Sequence, residues 1–144
     1  MGVVALVLAV TPWATSCGSD DDYSAYCDAV KAHRDGLTET LAEGDAGLLA
    51  AIPTFEDLRD QAPADIRDDW TTVVDALTGL QEALDDAGVK ASDYKQGVAP
   101  KGVTAAQRKA IAAAATKVSS TTTQKASLSV QQQARDVCHT PLTL

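Results

Sequence analysis

Asparagine is absent from this chain of 144 residues, phenylalanine occurs once, and tryptophan and histidine occur twice each. With aromatics at 4% of residues, the core must be built mostly from aliphatic side chains and alanine. Trp70 and Phe55 are the only large rings at apolar helical positions, and Trp13 lies near the start of the chain. No run of four or more residues alternates Val, Ile or aromatic with polar residues, which removes the usual support for strands. Catalytic signatures are missing too: there is no Gly-rich phosphate loop, G-x-S-x-G, H-E-x-x-H or C-x-x-C. Neighbouring acids such as Asp68 and Asp69 point about 100° apart on a helix and cannot share a proton. The chain is read as non-enzymatic.

The net charge of −8 argues against nucleic acid, whose phosphates demand a basic face. The charge is unevenly spread. Residues 17–87 carry 18 Asp and Glu against 4 Lys and Arg, whereas residues 88–144 carry 2 against 8. Two readings follow: basic C-terminal helices pack beside acidic N-terminal ones, or the basic part is a docking face for an anionic partner.

What the sequence does contain is helical periodicity. Over residues 64–87, Ile66, Trp70, Val73, Leu77, Leu80 and Leu84 recur at spacings of three and four, one continuous apolar stripe on which the chain is built. A first helix is expected from Tyr23 to Glu43, burying Tyr26, Val30, Leu37 and Leu41, capped by Asp22 and closed by Gly44. His33 and Arg34 border its apolar face and should pair with neighbouring acids. Asp45 caps a second helix to Gln61, with Leu48, Ile52, Phe55 and Leu58 inward. Pro53 in its interior predicts a kink or break near residues 49–53. Pro63 opens the central helix in its first turn.

Residues 88–103 form the one long connection, a candidate partner-binding loop carrying Lys90, Tyr94, Lys95 and Lys101. Just before it, Glu82, Asp85 and Asp86 crowd a helix end that prefers cations. The segment lacks the ligand order of an EF-hand, so no metal and no cofactor is expected, and Lys90 is the expected counter-charge. The capping box Thr104-x-x-Gln107 starts a fourth helix with Ile111, Ala115 and Val118 inward, ending near Val118. A second box, Thr121-x-x-Gln124, starts a fifth helix to Cys138, burying Ala126, Val130, Ala134 and Val137, and residues 139–144 are a tail. The fold class is therefore all-α: a bundle of four to five helices, the first, second, third and fifth up-down and the fourth laid across them.

Residues 1–16 read as a signal peptide, with an apolar run from Gly2 to Val10 too short to span a bilayer. Ala14-Thr15-Ser16-Cys17 looks like a bacterial lipobox, making Cys17 a lipidated mature N-terminus and residues 17–22 an acidic tether before a single domain over 23–144. Ala14 stands where such boxes usually carry Leu. Ala14-x-Ser16 also satisfies ordinary signal cleavage, so a secreted soluble form is the alternative. With Cys17 lipidated, Cys27 and Cys138 remain as an even pair for a disulfide in an oxidising compartment.

The leader, Cys17, the acidic run Asp20 to Asp22, Tyr26-Cys27-Asp28 and the closing Val137-Cys138 together resemble a loose group of small uncharacterised lipoproteins and secreted helical proteins of high-GC actinobacteria. The missing asparagine, with abundant Ala and Asp, agrees with a GC-rich coding source. The resemblance implies an extracytoplasmic, membrane-anchored helical protein and implies no activity. The functional expectation is a binding or interaction module at the cell envelope, its partner a protein, an envelope polymer or a small ligand, with a passive structural role as the alternative.

Overall fold

The computed structural model describes residues 20–94 and 98–144, with side chains from residue 23 onward. The leader, Cys17 and Lys95 lie outside the described residues. The chain is all-helical, with no strand among the described residues: α1 Asp20–Leu41, α2 Asp45–Ala50, α3 Ile52–Gln61, α4 Ala64–Asp86, α5 Ala105–Val118 and α6 Thr121–Asp136, plus a single 3-10 turn at Ala91–Asp93. α4 is the hub: α3, α5 and α6 all pack along it, and α5 and α6 scarcely touch each other.

The expected second helix is two helices, because Pro53 cannot occupy a helix interior. The chain breaks at Ala51, and the proline falls in the first turn of α3, where its missing N–H costs nothing. At the next junction Ala62 is extended (φ −65°, ψ 136°), as a residue before proline prefers. Arg67 clamps that turn, donating Nε and Nη2 to the Ala62 carbonyl at 3.0 and 2.6 Å. Pro63 is the cap residue of α4 rather than its first helical residue.

The α4 stripe is the core. Ile66, Trp70, Val73, Leu77 and Leu84 are buried, while Leu80 is half-buried. Tyr26 and Val30 of α1, Phe55 and Leu58 of α3, and Val130 and Ala134 of α6 close around its first half, all six fully shielded from solvent. The Trp70 indole N–H donates to Tyr26 Oη at 2.9 Å, meeting the one polar demand a buried indole makes, and Phe55 lies against Trp70 with ring centroids 5.9 Å apart. Burial pushes the Tyr26 phenol above its ordinary value of 10.0; the hydrogen bond from Trp70 opposes this and the Asp65 charge adds to it. At the same end Tyr23 donates to Asp65 at 2.9 Å.

Cys27 and Cys138 are bonded, with Cα atoms 4.9 Å apart and a sequence separation of 111. Closing a loop of that length removes unfolded-chain entropy on the order of 4.7 kcal/mol. The bridge ties α1 to the end of α6. His33 also behaves as read, its Nε2 2.7 Å from Asp57 Oδ2 on α3, and Arg34 pairs with Asp35.

Several expectations are corrected. Asp20 to Asp22 lie within α1, so Asp22 does not precede the helix as a cap. Asp45 is the first residue of α2, and Gly44 (φ 72°) holds the cap position. α6 is capped one residue early, by Ser120 accepting from the Thr123 N–H at 3.2 Å. Leu41, Leu48 and Ile52 are only half-buried, Ala115 is exposed, and Val137 is 43% exposed while Cys138 is buried. The C-terminal residues are not a loose tail: His139 turns the chain through a left-handed conformation (φ 51°), the Thr140 N–H reaches the Ala134 carbonyl at 3.0 Å, and Thr140 and Leu142 are buried.

Candidate functional site

Past Leu77 the surroundings of α4 change. Its last turns face α2 on one side and α5 on the other, with Ala91, Tyr94 and Ala99 of the connection beside them. α4 stops on a Schellman closure: the Val89 N–H reaches the Leu84 carbonyl at 3.1 Å and the Gly88 N–H the Asp85 carbonyl at 2.9 Å, with Gly88 at φ 65°. This backbone closure, not Lys90, meets the end of the helix; Lys90 makes no ion pair among the described residues.

α5 is held at its start. The Thr104 and Gln107 capping box forms as expected, Gln107 Nε2 donates to the Asp86 carbonyl at 3.1 Å, and Arg108 Nη1 donates to the Val103 carbonyl at 2.9 Å. Farther along, Ile111 is the only residue of α5 that is buried. Alanines follow it along α5, and beside them lies a groove of about 820 Å³ between α2, α4, α5 and the connection. Leu48, Leu49, Leu80, Leu84, Ile111 and Val118 give it aliphatic walls, Ala112 and Ala115 line the α5 side, and Ala91, Tyr94 and Ala99 come from the connection. Its polar lining residues are Asp45, Arg108 and Ser119, with Tyr94 the one aromatic.

The Tyr94 hydroxyl is shut off from solvent and has no hydrogen-bond partner among the described residues; Thr78 Oγ1 and Gln133 Oε1 share that condition, but neither residue lines the groove. α2 forms its wall by pressing directly on α1. A Cβ on Gly47 would fall 1.9 Å from the Thr40 carbonyl oxygen, so only glycine permits this approach.

The residues named from sequence divide between places. Tyr94 lines the groove. Lys90 lines a smaller adjoining cleft of about 310 Å³ that shares Leu49 and Ala91 with it. Lys101 is exposed, away from both. The sequence reading missed the α2 and α5 contributions; the signal that could have found them is the run Ala112 to Ala115, apolar but too small to fill a helix contact. Among the described residues, no group of His, Cys, Asp and Glu is placed to hold a metal ion, and no helix is long and apolar enough to cross a membrane. No family model, no curated protein and no solved structure matches the chain.

Proposed function

We propose that the chain is an exported, lipid-anchored helical module that binds an apolar or amphiphilic small molecule at the cell envelope and does no chemistry on it. The observation that carries this reading is the groove. Its volume, about 820 Å³, lies within the roughly 300–1,000 Å³ typical of small-ligand sites, and an apolar wall with few polar groups is the usual composition of such sites. Export is supported by the apolar leader ending at Cys17 and by the Cys27–Cys138 bridge, because disulfides persist in oxidising compartments. Two acyl chains on Cys17, each buried CH₂ contributing about 0.8 kcal/mol, are enough for stable anchoring.

In the same proposal α1, α3, α4 and α6 run up-down and α5 lies across their far end. Tyr23 and Tyr26 of α1 meet Asp65 and Trp70 near the start of α4, while Gln133 and Cys138, at the far end of α6, meet Asp65 and Cys27. The groove, bounded by Leu80 and Leu84, then lies at the pole opposite the anchor.

Titration with the neutral apolar dye N-phenyl-1-naphthylamine tests the reading. Saturable one-to-one fluorescence enhancement is expected. Ala112→Phe and Ala115→Phe, which place a ring in the groove from exposed positions, should abolish it with the melting temperature unchanged. Dye uptake that does not saturate, or that both variants leave intact, would remove the groove as a binding site.

A further inference from the structure

The uneven charge of the sequence is not resolved by pairing. The ion pairs among the described residues join Lys31 to Asp28, His33 to Asp57, Arg34 to Asp35, Arg59 to Asp60 and Arg135 to Asp136. Each lies within the acidic part of the chain or at its very end, and none links the basic part to the acidic part. Lys90, Lys101, Arg108, Lys109, Lys117 and Lys125 have no ion-pair partner among the described residues, and α5, which carries three of them, is one wall of the groove. Arg108 is the one that lines it. Its Nη1 is spent on the Val103 carbonyl, which fixes the guanidinium at the groove's edge. Nε and Nη2 have no acceptor among the described residues, a planar donor pair of the kind that binds carboxylate or phosphate.

We propose that the groove's ligand is a single-chain amphiphile with an anionic head, its apolar chain lying between Leu80, Leu84 and Ile111 and its head against Arg108. The proposal rests on the groove being a binding site. Asp45 is the single acid of the lining, and it opposes an anion; its removal should therefore tighten binding.

Four amphiphiles of one chain length, used below their micelle concentrations, separate the terms by displacing the dye: dodecanoate, dodecyl phosphate, dodecanol and dodecyltrimethylammonium. Both anions should bind at least tenfold more tightly than the cation, with the alcohol between them, and the gap should shrink as salt rises. Arg108→Gln should reduce the anion-to-alcohol ratio to about twofold while leaving the alcohol's affinity unchanged, and Asp45→Asn should tighten the anions several-fold. A preference of one anion over the other identifies the head as carboxylate or phosphate. Equal binding of anion, alcohol and cation, or an Arg108→Gln variant with its anion preference intact, overturns the anionic assignment but leaves the groove. Failure of all four to displace the dye, with Ala112→Phe still dye-competent, overturns the groove itself.

Discussion

The two halves of α4 belong to one helix and one apolar stripe, yet they meet opposite fates. From Ile66 to Leu77 the stripe is enclosed by rings, branched side chains and the disulfide-tied ends of α1 and α6. From Leu80 to Leu84 it borders a groove. Alanine shows why. On α6, Ala126 and Ala134 are buried at 3% and 0%, because the bridge and the turned-back terminus hold that helix close and small side chains permit close approach. On α5, which also packs along α4 and is tied at its end to α6 by the Thr123 hydroxyl donating to the Lys117 carbonyl at 2.8 Å, Ala112 and Ala115 are exposed along the groove. The same residue type is buried on one helix and exposed on the other, so the difference lies in which face of each helix the alanines occupy.

The largest contrast should appear between two leucines one turn apart. Leu77→Ala empties a closed site and should cost about 2–5 kcal/mol. Leu80→Ala, half-buried beside the groove, should cost about 1 kcal/mol or less because solvent or neighbours fill the space. Chemical denaturation of both variants measures the difference. Equal costs would mean that the two halves are equally packed and that the groove is not a standing feature.

A smaller contrast separates two tyrosines. Tyr26→Phe leaves the buried Trp70 indole N–H without its acceptor, for which about 1–3 kcal/mol is expected. Tyr94→Phe removes a hydroxyl that has no partner among the described residues and should be neutral or slightly stabilising. The pH dependence sharpens this pair. Tyr26 is held neutral by burial, so its folded value lies above 10.0. The unfolded chain then loses this proton first as pH rises, and the stability the phenol contributes is complete below about pH 10 and declines as pH climbs toward the folded value. Melting curves between pH 8 and 11 should show this decline in the parent and in Tyr94→Phe, and a smaller one in Tyr26→Phe. Parallel decline in all three would mean that the Tyr26 hydroxyl is not the buried group responsible.

Much of this architecture was legible in the sequence, and the rest failed for identifiable reasons. Periodicity located the α4 stripe, Phe55, Leu58, Val130 and Ala134 because a helix repeats its inward face until it ends. It misplaced Val137 because α6 ends at Asp136; beyond that residue the 3.6-residue phase no longer applies, and the bond to Cys27 turns Cys138 inward instead. The burial of Leu142 depends on His139 adopting a positive φ, a conformation His takes up several-fold more readily than most residues but that no local pattern announces. Pro53 foretold its own break because proline acts locally. The contact of Gly47 with Thr40 is tertiary, and a glycine in sequence does not say what approaches it. For the candidate site, the length of the 88–103 connection singled out Tyr94, whereas Ala115 on α5 was read as inward although it is exposed, because its residue type reports polarity and not depth.

Hydrogen exchange with and without saturating dodecanol, a neutral ligand that sets aside the question of the head group, tests the groove most directly. If the open half of α4 is a binding site, amides of α5 and of residues 80–94 slow several-fold on addition, while those of α1, α3 and the first half of α4 keep their rates beyond the uniform gain that ligation gives to global unfolding. Exchange that is unchanged throughout, or that slows only at the Trp70 end, would contradict the account.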